Sequence, residues 1–218
     1  QGQIVNSVED SVPLWFSWTL GLITSLLLFL SVLLHELGHS FVALHEGVKV
    51  RSITLFLLGG VARVERECST PMGNLRVAAA GPLVSLFLAM ILVRGGNLVD
   101  ASNPILANLL GQLGSLNLVL ALFNLLPGLP LDGGVILKSL VWQFTGSQRK
   151  GVQVATSTGR ALSLFAIFIG ILFVLKGGGF SGLWLVMIGW FGLGSSRSQG
   201  QILALQKILC ELKVAQAV

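Results

Sequence analysis

Long stretches of apolar residues are the feature that most constrains the fold of this chain. Five such stretches lie at residues 14–44, 75–93, 105–126, 151–175 and, shorter and rich in glycine, 180–194. A helix needs about 20 predominantly apolar residues to cross the hydrocarbon core of a bilayer. Only 11% of the 218 residues are charged, against about a quarter in a typical soluble domain. We therefore predict an all-α polytopic membrane protein with about five transmembrane helices.

The segment 51–67, between the first two spans, has a different pattern. It reads RSITLFLLGGVARVERE, with apolar runs on both sides of Gly59 and Gly60. Paired glycines between two short apolar runs are typical of a hairpin turn. We predict a short membrane-associated β-hairpin here, and a simple surface hairpin is the alternative.

We predict a membrane domain at residues 14–196, with a short flank before it and a tail after it. Residues 1–13 form a flank that begins with Gln1 rather than Met and has no signal-peptide pattern, so we expect a fragment. In the tail, 197–218, apolar residues recur at helical spacing: Ile202, Leu205, Leu209 and Leu212. This spacing predicts an amphipathic helix that lies on the membrane or packs on a missing domain.

The positive charge of the chain follows its predicted topology. The net charge is +5, but the basic residues are scattered between the spans without interleaved aromatic residues, which argues against nucleic-acid binding. With five spans, 12 of the 14 lysines and arginines fall on one side, and only Arg94 and Lys176 fall on the other. The positive-inside rule makes the richer side cytoplasmic. Cys68 and Cys210 are far apart and form no CxxC pair, which indicates neither a thiolate metal site nor a disulfide framework.

The first span contains an HExxH pattern, formed by His35, Glu36 and His39. Histidines four residues apart on a helix project from one face, as two zinc ligands must, and the glutamate beside them suits a general base. HExxH also arises by chance. In an apolar span, however, each central charge costs about 2.5–3.5 kcal/mol, and metal ligation is a physical reason to keep these side chains.

A catalytic zinc usually has three protein ligands, and the chain holds three histidines in all. The third ligand is therefore expected to be a carboxylate. Asp132, which follows the helix-breaking Pro127 and Pro130 at the end of the third span, is the best-placed one. Its alternative role is to cap the helix that follows. Less well-placed carboxylates lie at the far end, in polar segments or in the opposite loop: Glu9, Asp10, Glu65, Glu67, Asp100 and Glu211.

The motifs HELGHS and, about ninety residues later, NLLPGLPLDGG together resemble the site-2 protease family of intramembrane zinc metalloproteases. The similarity extends to LFLLGGVAR and MGNLRVAAAGPLVS and covers roughly residues 30 to 140. The resemblance implies that His35, His39 and Asp132 bind Zn²⁺ and that Glu36 is the general base.

The same resemblance implies further roles and partners. Asn124 would steady the substrate carbonyl or its oxyanion, although an interhelical hydrogen bond is the alternative for a buried amide. The hairpin around Gly59 and Gly60 would hold an extended substrate segment by edge pairing. Family members are expected to have an additional N-terminal span, and some carry nucleotide-sensing CBS domains after the last span. A missing N-terminal span and a missing C-terminal regulatory domain are therefore expectations for this chain.

We predict a zinc endopeptidase that cleaves transmembrane segments of membrane-protein substrates, as in regulated intramembrane proteolysis. It would be an integral protein of the cell (inner) membrane of a prokaryote, with its active site toward the cytoplasmic side. One alternative is a transporter or metal-handling protein that uses the same polar residues as an ion path. Another is a catalytically inactive homologue.

The charge distribution makes a direct prediction about orientation. Cysteines introduced near Lys49 and Lys176 should react with membrane-impermeant thiol reagents from opposite sides, with position 49 reacting from the cytoplasm. Labelling of position 49 from outside would refute the five-span topology.

Overall fold

The computed structural model describes residues 14–48, 50–56, 59–64, 68–177 and 179–195. The flank 1–13 and the tail 197–218 lie outside these residues. Six helices are present in the described part: α1 (Leu14–His45), α2 (Pro71–Val99), α3 (Pro104–Asn124), α4 (Asp132–Thr145), α5 (Gln148–Leu175) and the shorter α6 (Gly179–Ser195).

Four of these helices, namely α1, α2, α3 and α5, are long and apolar enough to cross a membrane by length and composition. The predicted class, a polytopic helical membrane protein, is thus confirmed. The predicted fifth span coincides with α6, an apolar helix in the shorter, 10–17-residue class. At 1.5 Å per residue such a helix reaches at most about 25 Å, less than the roughly 30 Å of a hydrocarbon core.

Helix α4 is the helix expected after Asp132, between the third and fourth spans. It runs for 14 residues to Thr145, and the next residue, Gly146, has a positive φ of 67°, the left-handed conformation common after helices. The next helix starts at once, with Ser147 as its N-cap. The helices α4 and α5 therefore form a helical hairpin, and α4 returns the chain from the end of α3.

Between α1 and α2 lie two strands, β1 (Val50–Phe56) and β2 (Gly59–Val64). They pair antiparallel, with Ile53 opposite Ala62, and the register shifts between Val50 and Ser52. Association of this pair with the membrane stays a prediction.

Helix α2 is the centre of the described bundle because it packs against α1, α3 and α4. Glycines bring these helices close together. A Cβ on Gly38 would lie 3.2 Å from the Ala80 carbonyl oxygen on α2, and a Cβ on Gly114 would lie 3.1 Å from the Val93 amide nitrogen. Small residues at such contacts let helix backbones approach closely, which is the usual basis of packing in membranes.

The distribution of side chains is the reverse of that in a soluble domain. Most buried apolar residues are alanines, whereas large apolar side chains such as Trp18, Phe41 and Phe87 are exposed. Lipid is as apolar as a protein interior, so large side chains gain nothing from leaving it, and small ones are needed where helices touch. The buried interior therefore has room for polar groups, among them His35 and Glu36.

Candidate metal centre

Two imidazoles project from one side of α1. His35 and His39 are one turn apart, and their Nε2 atoms are 3.2 Å from each other. Both side chains are largely shielded, with 4% and 12% of their surface exposed. The long apolar sequence of α1 keeps the helix continuous through this point, so the spacing of four residues places both rings on the same face.

Asp132 is the first residue of α4 and reaches the same point from the other side. The N-cap of α4 is Leu131, and the helix start has no side-chain cap hydrogen bond, so Asp132 does not play the capping role considered above. The two glycines that follow it lie directly against the preceding connection. A side chain on Gly133 would collide with the Leu125 carbonyl, and one on Gly134 with the backbone at Gly128.

The three side chains converge on one small region. Asp132 Oδ2 lies 3.2 Å from His35 Nε2 and 3.3 Å from His39 Nε2. One candidate ligand atom from each residue lies within 4.8 Å of the others. Residues 97 positions apart in the chain thus present two nitrogens and one oxygen to a shared centre.

The hydrogen bonds of the two Nδ1 atoms indicate that the Nε2 atoms of the rings face the shared centre. His39 Nδ1 lies 2.7 Å from the Val77 carbonyl oxygen, and His35 Nδ1 lies 2.9 Å from Ser85 Oγ. Since a carbonyl can only accept, His39 donates from Nδ1, and the Nε2 of its neutral ring carries a lone pair. The same tautomer of His35, with Ser85 accepting, directs a second lone pair inward. With both rings neutral in this tautomer, two nitrogen lone pairs and a carboxylate oxygen face one another, an arrangement that a bound cation would stabilise.

The spacing suits zinc. Ligands about 2.0–2.1 Å from a tetrahedral Zn²⁺ lie about 3.3–3.4 Å apart, and the three observed separations are 3.2, 3.2 and 3.3 Å. Two imidazoles and a carboxylate form a common catalytic donor set that leaves a fourth position open. The residues present therefore fit a zinc ion.

The two other predicted site residues flank this cluster. Glu36 follows His35 on α1 and is 8% exposed. Asn124 is the last residue of α3 and is half-buried, and the connection 125–131 separates it from Asp132. The sequence interpretation did not identify Ser85 or the Val77 carbonyl. Both lie in the segment MGNLRVAAAGPLVS. This segment indicated the family resemblance but no role for either residue.

Four apolar helices and a shielded cluster of two histidines and an aspartate, with a glutamate beside it, define a class. This is a polytopic membrane protein with an HExxH motif and an aspartate that together could hold a metal ion. Comparisons with known proteins agree. A family model described as peptidase family M50 matches residues 23–100 and 96–166.

Proteins named as zinc metalloproteases are similar to this chain over most of its length. A candidate zinc metalloprotease of Synechocystis sp. is 52% identical over 188 residues, which are 85% of this chain and 49% of the relative. Rip3, a candidate zinc metalloprotease of Mycobacterium tuberculosis, is 38% identical over 92% of this chain and 52% of its own length. The solved site-2 protease of Methanocaldococcus jannaschii superposes with a TM-score of 0.63 at 32% identity, over 90% of this chain and 83% of that one.

The chain belongs to peptidase family M50 and, within it, to the site-2 proteases. It spans about half the length of the Synechocystis and Mycobacterium relatives.

The convergence of three donors predicts the effect of replacing Asp132. Asp132→Asn keeps the size and the hydrogen-bonding capacity of the side chain but removes its charge, and a neutral amide is a poor zinc ligand. We expect zinc affinity to fall by more than the roughly 10–100-fold that changes around a metal ligand typically cause.

The measurement is zinc bound per purified chain, with Asp100→Asn as the matched control because Asp100 is an exposed carboxylate at the end of α2. Full zinc occupancy in Asp132→Asn would mean that the third ligand lies elsewhere.

Proposed function

We propose that this chain is a zinc-dependent endopeptidase that cleaves membrane-spanning segments of other membrane proteins. The proposal rests above all on the three acceptor atoms of His35, His39 and Asp132, which converge at 3.2–3.3 Å inside an apolar helix bundle. The relatives named as zinc metalloproteases support it. In this proposal the peptidase domain comprises residues 14–196.

A zinc ion bound by these residues would supply Lewis acidity toward water and toward a peptide carbonyl. Glu36 acts as the base: its carboxylate accepts a proton from the attacking water and passes it to the amine that leaves. Two observations support this role. Glu36 adjoins the first histidine on the same helix, and its side chain is largely removed from solvent.

Asn124 binds the carbonyl oxygen of the scissile peptide. An amide N–H is a suitable donor to an oxygen that gains negative charge during attack. Its position supports this role, because Asn124 ends α3 immediately before the connection that leads to Asp132. A half-buried amide at this place is accessible to a substrate that enters beside α4.

The strands β1 and β2 form a membrane-associated hairpin that binds the substrate in extended form. Peptide bonds in a helix are shielded by their hydrogen bonds, so a substrate helix must unwind before cleavage. A strand edge offers replacement partners for the freed N–H and C=O groups. The antiparallel pairing of Val50–Phe56 with Gly59–Val64 and its position after α1, which carries the histidines, support this role.

The protein lies in the cell membrane of a prokaryote with the metal centre toward the cytoplasm. With α6 counted as a fifth span, 12 of the 14 basic residues fall on one side, which supports this orientation. The convergence of the polar side chains favours an enzyme over a transporter. An ion path would distribute such groups along the membrane normal, whereas here they meet at one point.

Replacing Glu36 by Gln tests the assignment of base and ligands together. The variant should keep its zinc, because Glu36 is not a ligand, and should lose cleavage by about 10²–10⁴-fold, the usual contribution of a general base. Zinc content is measured beside cleavage of a membrane-embedded substrate in detergent or liposomes.

Glu46→Gln is the matched control, since Glu46 follows the same helix and bonds to Arg76 instead. It should cleave like the parent protein. Loss of zinc in Glu36→Gln would show that Glu36 is a ligand and that its role as base is wrong.

Asn124→Ala tests the binding of the carbonyl oxygen. Removal of one such donor typically lowers kcat by about 10²–10³-fold, and zinc content should be unchanged. A purely structural amide would instead lower the thermal stability without a selective loss of kcat. That outcome would contradict the proposal.

A further inference from the structure

One face of α2 lies against the two histidines of α1 over two successive turns. Val77, Gly81 and Ser85 are spaced by four residues, so they form a single row on this helix. Val77 faces the two imidazoles with its carbonyl oxygen, Gly81 with no side chain, and Ser85 with its hydroxyl group.

The carbonyl and the hydroxyl bind the outer nitrogens of the rings. Val77 O accepts from His39 Nδ1 at 2.7 Å, and Ser85 Oγ bonds to His35 Nδ1 at 2.9 Å. Ser85 has no exposed surface. Water therefore cannot compete for the hydrogen bond between Ser85 and His35.

Ser85 differs from the other buried serines of the described residues. Their hydroxyls donate to the carbonyl four residues earlier in their own helix: Ser31, Ser40, Ser139 and Ser163. The Ser85 hydroxyl is instead bonded to an imidazole on another helix. Ser31 also accepts a bond from Asn117 on another helix, but it still donates within its own helix. A serine placed only for packing would satisfy itself within its helix, so the Ser85 contact indicates a role toward His35.

Gly81 lies between the other two members, at the point of closest approach to the rings. A Cβ at this position would lie within 2.6 Å of His35 Nε2 and still closer to His39 Nε2. These are the atoms that face Asp132. Any side chain at position 81 would displace the nitrogens from their convergence.

We propose that Ser85 is a positioning residue for the metal ligand His35, and that Gly81 is the gap that allows both imidazoles to reach one metal ion. This inference rests on the proposed function, because it takes the two histidines to be zinc ligands. Ser85 Oγ accepts a hydrogen bond from the Nδ1–H of His35 and so fixes the tautomer whose Nε2 lone pair points to the metal. Glycine at 81 keeps α2 close enough for both hydrogen bonds to form.

The test is zinc affinity of the purified full chain in detergent, measured by competition with a chromogenic chelator. Ser85→Ala should raise Kd about 10- to 100-fold, as changes to outer partners of ligand histidines typically do. Gly81→Ala should raise it at least as much. The unfolding temperature of the metal-free protein is measured in parallel and should match the parent for Ser85→Ala.

Two control variants isolate the effect. Ser163→Ala removes a buried hydroxyl that bonds only to its own helix. Gly95→Ala adds a methyl group to α2 where the nearest atom outside the helix backbone is Leu110 Cδ1 at 3.8 Å. Both should bind zinc with the parent Kd.

A parent Kd in Ser85→Ala would overturn the positioning role while leaving the proposed function intact. A lower unfolding temperature with unchanged Kd would show that Ser85 serves packing alone and would overturn the role equally. Failure of the parent protein to bind zinc would overturn the proposed function, and the inference with it. If Gly81→Ala does not fold, the comparison of Ser85→Ala with Ser163→Ala still tests the positioning role of Ser85.

Discussion

The convergence of His35 Nε2, His39 Nε2 and Asp132 Oδ2 at 3.2–3.3 Å is the contact around which the rest of this structure is arranged. His35 and His39 come from α1 and Asp132 from α4. Bulk water, which would screen such a cluster at a protein surface, is largely excluded by an apolar bundle. The fold holds the three groups in place by helix packing and by the hydrogen bonds of the two Nδ1 atoms with Val77 and Ser85.

That packing depends on small residues more than on large ones. In a bilayer the apolar surface of a helix gains little by turning inward, so close contact must come from backbones that approach one another. Gly38 brings α1 onto α2, and Gly133 and Gly134 fold the start of α4 against the chain that precedes it. Asp132 on α4 could not reach the histidines of α1 if these positions bore side chains. The glycines near the metal centre thus act through geometry and have no chemical part in the reaction.

The sequence allowed prediction of what depends on local periodicity and composition. Apolar length located α1, α2, α3 and α5, and the spacing of four residues placed His35 and His39 on one face. Asp132 was found by excluding the other carboxylates. The start of α2 was predicted four residues too late because the signal of Thr70 as N-cap with Pro71 after it is polar and weak beside the apolar run. Ser85 was missed for a different reason: nothing in the neighbourhood of a serine in sequence tells whether its hydroxyl bonds to its own helix or to a ring fifty residues away. The apolar run at 180–194 indicated a fifth span, but the helix α6 belongs to the shorter, 10–17-residue class, because apolar composition does not fix the length of a helix.

The two histidines differ in what holds their outer nitrogens. His39 bonds to the main-chain carbonyl of Val77, a group that every amino acid provides, whereas His35 bonds to one hydroxyl. Substitutions at position 77 that keep the helix preserve the first bond, but most substitutions at position 85 delete the second. The outer hydrogen bond of His39 is therefore insensitive to the side chain at position 77, whereas that of His35 depends on one side chain alone.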